Sequence, residues 1–275
     1  MRTLIAIPVY NERRHVRQVL DRVLNHAGNV LVVDDGSSDG TTQVLTDYPI
    51  DLIRHAVNRG YGQSTIDAFR WAIAEGYDWV ITMDCDEQHE PEQIPDFLAA
   101  AQDSGFDIIS GSRYLKSFDG DDLPPVERRR INTAITDEIN QRLGLRITDA
   151  FCGFKAYRVS ALRRFSLSEQ GYALPMQFWV RAVATGARIT EIPVRLIYND
   201  LNRSFGEALD NADVRLAHYR DVLHDEIRRF SVTLPAGATA GLVAASGNAG
   251  ASAGSSGAKT NPCGGSSADP RYCRR

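Results

Sequence analysis

Apolar residues in the first part of the chain fall into two kinds of segment. Short apolar runs at Leu4–Ile7, Val30–Val33, Ile50–Ile53 and Trp79–Met83 have the length and composition of strands. Between the first two runs, Val16–Leu24 carries apolar residues at helical spacing. Strands separated by helices of this length build a parallel sheet covered on both faces. The pattern therefore predicts a single α/β domain with a Rossmann-like, mostly parallel sheet and helices on both faces.

The pattern changes after Phe230. From Pro235 to Ser267 the chain is dominated by Gly, Ala and Ser, with almost no large apolar side chains. Such a segment buries too little apolar surface to offset the entropy lost on ordering. We therefore expect a globular domain over residues 1–231 and a disordered tail over residues 232–275.

Composition narrows the class of protein. With 43% hydrophobic and 24% charged residues the chain is typical of a globular protein, and its net charge of −4 is spread without a basic face, which argues against nucleic acid as a partner. Cys85 and Cys152 fall in core segments and Cys263 and Cys273 in the tail, so we expect reduced thiols and a cytoplasmic protein. The sequence shows neither a signal peptide nor an apolar run of the roughly 20 residues that a membrane helix needs. Any membrane contact is then expected to be peripheral.

Polar turns follow the predicted strands directly. The first strand ends in Pro8–Glu12 and the second in Asp34–Thr41. Backbone N–H groups in such turns can meet a nucleotide, and Asp35 can accept hydrogen bonds from a base or ribose. The alternative is that Asp39 caps a helix and the glycines only form a turn. In α/β folds ligands bind beyond the carboxyl ends of the strands, which favours the functional interpretation.

The fourth strand is followed by alternating oxygen donors. Asp84, Asp86 and Gln88 point the same way if the backbone stays extended past the strand, and together they would offer hard ligands to one divalent cation. The alternative is a solvated loop in which Pro91 starts the next helix.

Six segments resemble the family-2 glycosyltransferases of the GT-A fold, and among them the dolichyl- or polyprenyl-phosphate mannose synthases most closely. They keep the family's order over roughly residues 3–200: Ile7–Glu12, Val33–Thr41, Asn58–Gly62, Met83–His89, Gly111–Tyr114 and Thr148–Tyr157.

The resemblance implies roles for named residues at the donor side. The nucleoside would be held by Pro8, Tyr10, Glu12, Val33 and Asp35. Mg²⁺ or Mn²⁺ and the diphosphate would be bound by Asp84, Asp86 and Gln88, with Cys85 between them. Arg113 would add fixed positive charge where the diphosphate departs. His55 and His89 are expected to lie outside the metal ligand set.

On the acceptor side, Val126–Thr133 opens a helix with Arg129 and Thr133 one turn apart. The resemblance implies that this pair holds the phosphate of a lipid acceptor, although an ordinary basic helix start would look the same. Asp149 would orient the acceptor or an arginine, and it becomes the leading base candidate if the acceptor is a hydroxyl. The sequence departs from the family near Asn199 and Ser204, and Arg203 is expected to supply the missing charge.

The sequence thus predicts a metal-dependent, inverting transferase with Asp86, Arg113 and Asp149 as its catalytic set. It would move a hexose, with GDP-mannose as the expected donor, to a polyprenyl phosphate at the inner membrane surface. Two alternatives stay open. One is a transferase that uses a UDP-sugar and a hydroxyl acceptor, and the other is a non-catalytic module that binds nucleotide sugars.

Overall fold

The computed structural model describes residues 1–102, 105–199 and 204–242, together with the backbone of residues 272–273. Its strands are β1 Thr3–Val9, β2 Val30–Asp34, β3 Asp51–Arg54, β4 Trp79–Thr82, β5 Ile108–Ser112, β6 Lys155–Arg158, β7 Ile189–Pro193 and β8 Tyr272–Cys273. Its α-helices are α1 Val16–Val23, α2 Thr41–Leu45, α3 Tyr61–Ala74, α4 Ile94–Gln102, α5 Val126–Leu143, α6 Val159–Leu162, α7 Leu174–Ala184 and α8 Ala212–Arg229. Short 3₁₀ helices cover Pro91–Gln93 and Glu207–Asp210.

The described strands form one mixed sheet in the order β7-β5-β6-β4-β1-β2-β3-β8. The central pairs β4–β1, β1–β2 and β2–β3 are parallel, as is β5–β7, whereas β6 runs antiparallel to both of its neighbours and β8 runs antiparallel to β3. The predicted single α/β domain with a mostly parallel sheet is confirmed. The apolar pattern did not reveal β6, because Lys155–Arg158 begins and ends in basic residues.

Two hydrophobic cores lie on opposite faces of the sheet. Successive strand residues point to opposite faces, so in β1 Leu4 and Ala6 join one core while Ile5 and Ile7 join the other. The first core is closed by α3 and α5 to α8, and the second by α1, α2 and α4. The helices therefore cover both faces, as the sequence predicted.

The tail boundary drawn at residue 232 is wrong for the segment that the structure describes. Leu234 and Ala238 are buried in the first core. Arg142, in the last turn of α5, donates from Nη1 to the carbonyl oxygens of Ala238 and Ala240, both at 3.0 Å. A few apolar side chains are enough to hold this segment on the domain, because α5 adds hydrogen bonds to its backbone. Residues 243–271 and 274–275 lie outside the described residues.

Among the helices described, α5 and α8 are the longest, and neither they nor the shorter ones combine the length and apolarity needed to cross a membrane.

Candidate active site

A cavity of about 890 Å³ opens at the carboxyl ends of β1, β2, β4 and β5. It brings together most of the residues that the sequence singled out: Pro8, Tyr10, Glu12, Asp35, Asp84, Cys85, Asp86, Gln88 and Arg113. Parallel strands explain this convergence, because their carboxyl ends meet at one edge of the sheet. Four predicted residues do not border the cavity: Val33, Arg129, Thr133 and Asp149. Arg203 lies outside the described residues.

The loop after β4 is not extended, contrary to the expectation for Asp84, Asp86 and Gln88. The backbone bends from Cys85 onward, Glu87 adopts a positive φ of 60°, and Asp86 Oδ1 accepts a hydrogen bond from the Gln88 backbone N–H at 3.1 Å. A turn, rather than strand alternation, therefore brings the three side chains to the same cavity.

Asp84 rests directly on Gly153. A Cβ atom at position 153 would lie 2.5 Å from Asp84 Oδ2 and 2.9 Å from Oδ1, so only glycine leaves room for the carboxylate. The loop that carries Gly153 is held to β4, since Thr82 Oγ1 donates to the Gly153 carbonyl oxygen at 2.7 Å. His89, which is buried, accepts a hydrogen bond on Nδ1 from the Asp84 backbone N–H at 3.0 Å.

The residues present fit a divalent ion that the substrate helps to bind. Within the described ranges, no group of three or more His, Cys, Asp or Glu side chains is arranged to hold a metal by itself. Asp84 and Asp86 supply two carboxylates to the same cavity. Mg²⁺ is commonly held in this way, by one or two carboxylates together with substrate phosphate oxygens.

At the carboxyl ends of β1 and β2, the two turns that follow these strands are hydrogen-bonded to each other. Asn11 adopts a positive φ of 57°, its backbone N–H donates to Ser37 Oγ at 2.9 Å, and its Oδ1 accepts from the Ser38 backbone N–H at 2.9 Å. Tyr10 is largely exposed at the cavity mouth, whereas Glu12 is buried. Val33 is fully buried in the first core and contributes to this end only as part of β2, which corrects its predicted contact with the nucleoside.

Arg113 and Asp149 form a buried bidentate ion pair. Arg113 Nε donates to Asp149 Oδ2 at 2.7 Å and Nη2 donates to Oδ1 at 3.0 Å. Asn132 Nδ2 and the Phe151 backbone N–H also donate to Oδ1, at 2.7 and 3.1 Å. Burial alone raises the pKa of Asp149, but the charge and hydrogen bonds of Arg113 outweigh it and hold the pKa well below its usual range.

This arrangement decides between the two roles predicted for Asp149. Its carboxylate is ionised, fully buried and already occupied by donors, so it is poorly placed to take a proton from a substrate. It instead fixes the guanidinium of Arg113, which borders the cavity. The geometry thus favours the prediction that Asp149 orients an arginine over the prediction that it acts as a base.

On α5 the polar residues that border the cavity are Arg128 and Asn132, each one position earlier than the predicted pair. Thr133 is exposed outside the cavity. The Arg129 guanidinium lies over the ring of Tyr114, with Cζ 3.7 Å from the ring centroid. The predicted spacing of four residues is present, but the helix presents its neighbouring face to the site.

Sequence reasoning missed an aromatic and basic wall of the cavity. The same cavity is bordered by the loop after β4, residues 83–90, which we call the metal loop after its predicted ligands. Phe205 lies between two arginines, with Arg128 Cζ at 5.1 Å and Arg215 Cζ at 4.3 Å from its ring centroid. The rings of Tyr61 and Tyr172 stack beside it at a centroid distance of 5.9 Å. All five border the cavity. A usable signal in the sequence was Arg215, four residues after Asn211, the N-cap of α8, where a cation is not favoured by the helix dipole.

Asn199 lies where the sequence departs from the family. Its Nδ2 donates to the Asp86 carbonyl oxygen at 3.3 Å. This bond joins the segment after β7 to the metal loop.

Comparisons with known proteins show which proteins this chain is similar to. The chain is 33% identical over 229 residues to the undecaprenyl-phosphate mannosyltransferase of Micrococcus luteus, covering 77% of this chain and 92% of that protein. It is 30% identical over 233 residues to the polyprenol monophosphomannose synthase of Mycolicibacterium smegmatis, covering 80% and 85%.

A solved structure shares the fold at low sequence identity. It is the glucosyl-3-phosphoglycerate synthase of Mycobacterium tuberculosis in complex with Mn²⁺, UDP-glucose and phosphoglyceric acid. The TM-score is 0.60 at 17% identity, covering 85% of this chain and 80% of that one. The family model described as glycosyl transferase family 2 matches residues 4–165. The chain belongs to glycosyl transferase family 2 and has its GT-A fold.

Proposed function

We propose that the protein transfers a mannosyl residue from a nucleoside diphosphate donor, GDP-mannose, to a polyprenyl phosphate. Its support is the similarity to two enzymes named as mannosyl transferases or synthases acting on such lipids, of which the chain covers 92% and 85%. The observation that carries the proposal is the Arg113–Asp149 pair. It gives the cavity a fixed cation and removes the leading base candidate.

The donor would lie across the carboxyl ends of the first four strands. Pro8, Tyr10, Glu12 and Asp35 would border its nucleoside, and Asp84, Asp86 and Gln88 would lie at its diphosphate. Mg²⁺ or Mn²⁺ would be held by the two carboxylates together with diphosphate oxygens. When bound, the ion neutralises charge on the departing nucleoside diphosphate.

The acceptor phosphate would lie between Arg113 and Arg128. One of its oxygens forms a bond to the anomeric carbon while the bond from that carbon to the diphosphate breaks, and the nucleoside diphosphate leaves with the electron pair. Attack from the side opposite the leaving group inverts the anomeric centre. The attacking oxygen is already ionised at neutral pH, so the step needs no protein base. The arginines orient the acceptor and balance the repulsion between two anionic groups.

The chemical nature of the proposed acceptor indicates where in the cell the protein would work. A polyprenyl phosphate stays in the bilayer with its phosphate at the surface, whereas a nucleotide sugar is a soluble substrate. We therefore propose that the protein works as a peripheral enzyme at the cytoplasmic face of the membrane.

The test is transfer of labelled sugar to a short polyprenyl phosphate in detergent with Mn²⁺, comparing GDP-mannose with UDP-glucose. Arg128→Ala and Arg129→Ala form a matched pair, because only Arg128 borders the cavity. Loss of a charge-assisted contact worth about 1.5–3 kcal/mol should raise the lipid KM of Arg128→Ala roughly ten- to hundredfold. Arg129→Ala should stay within about threefold of wild type, and neither variant should change affinity for the nucleoside diphosphate.

Three results would count against this proposal. Transfer to a sugar hydroxyl but not to the lipid would replace the acceptor. Preference for UDP-glucose would replace the donor. A larger KM change in Arg129→Ala would return the acceptor site to the face of α5 that carries Thr133.

A further inference from the structure

His55 is a buried histidine that bridges two carboxylates beside the nucleoside end of the cavity. It follows β3 directly, and its side chain is 6% exposed. Its Nδ1 lies 2.6 Å from Asp35 Oδ1 and its Nε2 lies 3.2 Å from Asp67 Oδ2 on α3. His55 does not border the cavity, whereas Asp35 does. Anything that His55 does for a ligand must therefore act through Asp35.

The hydrogen bonds of Asp35 show what such an action would be. Oδ1 accepts from His55 and from the Arg59 backbone N–H at 2.8 Å, while Oδ2 accepts from the Gly60 backbone N–H at 2.8 Å. A carboxylate oxygen has two acceptor positions, so within the described ranges Oδ1 is filled by the chain and Oδ2 keeps one open. The protein itself thus selects which oxygen of Asp35 can still accept a hydrogen bond.

We propose that His55 is a positioning residue for nucleoside recognition: it fills Asp35 Oδ1 and ties Asp35 to Asp67, so that Oδ2 faces the nucleoside with one open acceptor position. The ligand group that suits this position is an N–H of the base or an O–H of the ribose. The inference rests on the proposed function, since it assumes a nucleoside diphosphate donor.

Charge explains why histidine suits this place. A protonated imidazole donates from both nitrogens and so satisfies both carboxylates, whereas the neutral ring has only one N–H. The hydrogen bonds to Asp35 and Asp67 raise the pKa of His55 to about 9 against the opposing effect of burial.

Two arginines also contact Asp67. Arg70 Nη1 is 2.7 Å from Asp67 Oδ1 and Arg59 Nη1 is 3.7 Å from Oδ2. Asp67 is thereby held in place by α3 and by the loop that Asp35 binds. It forms a fixed anchor against which His55 can hold Asp35.

Two amide substitutions test the contributions of the two ring nitrogens of His55 separately. The Asn amide in His55→Asn reaches the place of Nδ1 and can still donate to Asp35, whereas the longer Gln amide in His55→Gln reaches the place of Nε2 and serves Asp67. His26→Gln is the matched control, because His26 follows α1 away from the cavity. Calorimetry with GDP, UDP and pyrophosphate, each with Mn²⁺, then compares ligands that have or lack a nucleoside.

We expect His55→Gln to weaken the preferred nucleoside diphosphate about tenfold or more, as for loss of one hydrogen bond to a charged group. Its affinity for pyrophosphate should not change. His55→Asn should retain most of the nucleotide affinity and His26→Gln all of it. If His55→Gln fails to fold, Asp67→Asn tests the same link from a residue outside the cavity, and it should weaken the nucleotide but not pyrophosphate.

Equal losses in His55→Asn and His55→Gln, or parallel losses for nucleotide and pyrophosphate, would overturn the role of His55 and leave the proposed function standing. Nucleotide affinity that Asp67→Asn leaves unchanged would do the same. Failure of the wild-type protein to bind either GDP or UDP would overturn both proposals together.

Discussion

At the scale of single residues, the same side chain can be a base or a counter-ion, and its neighbours decide which. Asp149 lies in a family motif shortly after α5, and its sequence context fits both roles. Five hydrogen bonds, from Arg113, Asn132 and Phe151, favour a role in charge balance. No sequence pattern encodes this, because Arg113 and Asn132 come from two other elements.

Gly153 offers a prediction about the metal loop. Gly153→Ala would place a Cβ within 2.5 Å of Asp84 Oδ2. The end of a side chain can move at small cost to stability, so the change should appear in ligand binding instead. Calorimetry should show nucleoside diphosphate affinity in Mn²⁺ reduced about tenfold, on the order of one lost charged contact, with little change in EDTA.

Gly28→Ala is the control for that substitution, because nothing lies within 4 Å of its added Cβ. It should bind nucleotide as the wild type does. Unchanged Mn²⁺-dependent affinity in Gly153→Ala would show that Asp84 does not contribute through its present position.

At the scale of elements, α5 shows how near a sequence prediction can come and still miss. Ile131, Ile135, Ile139 and Leu143 are spaced as one apolar helix face in the sequence, and all four are buried. Residues three and four apart share a helix face. Arg128 is three residues before Ile131 and four before Asn132, so the apolar face itself points to Arg128. The family spacing, read from Thr133, led to the neighbouring arginine.

The segment after α8 carries the prediction at this scale. A chain ending at residue 230 loses Leu234 and Ala238 from the first core, whereas a chain ending at residue 242 keeps them. Burial of one leucine contributes about 1.5–3 kcal/mol, so the shorter chain should unfold at a clearly lower temperature and denaturant concentration. Both can be followed by circular dichroism.

Arg142→Ala in the longer chain removes the bonds to the Ala238 and Ala240 carbonyl oxygens and should lower stability in the same direction. Equal midpoints for the two truncated chains would restore residue 232 as the start of a tail without structure.

At the scale of the whole molecule, buried charge links folding to pH. The folded-state pKa of His55 is about 9, above the 6.5 of an unperturbed histidine. A raised pKa contributes stability that is fully present below about pH 6.5 and is lost as pH rises through about 9. The charged groups around His55 are Asp35, Asp67, Arg59 and Arg70.

Denaturant unfolding should therefore show wild type losing up to about 3 kcal/mol between pH 6.5 and 9.5, as the pKa difference sets an upper bound. His55→Asn, which has no proton to lose, should show a flatter dependence. Parallel curves for the two proteins would contradict the linkage.

The fold was largely predictable because the four strands of the parallel half are short apolar runs. The donor side of the site was predictable for the same reason, since polar residues directly after parallel strands lie together at one edge of the sheet. The acceptor side was harder. Whether Arg128 borders the cavity depends on how α5 is rotated about its axis. Phe205 and Arg215 come from separate segments, and only tertiary packing brings them together.

The order of the site along the chain has an evolutionary consequence. The turns at the donor end and the metal loop all precede residue 90, within the segment 4–165 that matches the family model. Tyr172, Phe205 and Arg215 of the opposite wall follow that segment. Inheritance of the first part with variation in the second would keep the donor site together with Arg113 and Arg128, while the rest of the opposite wall changed to suit other acceptors. One ancestral sugar-handling half could in this way have been passed to enzymes that glycosylate very different molecules.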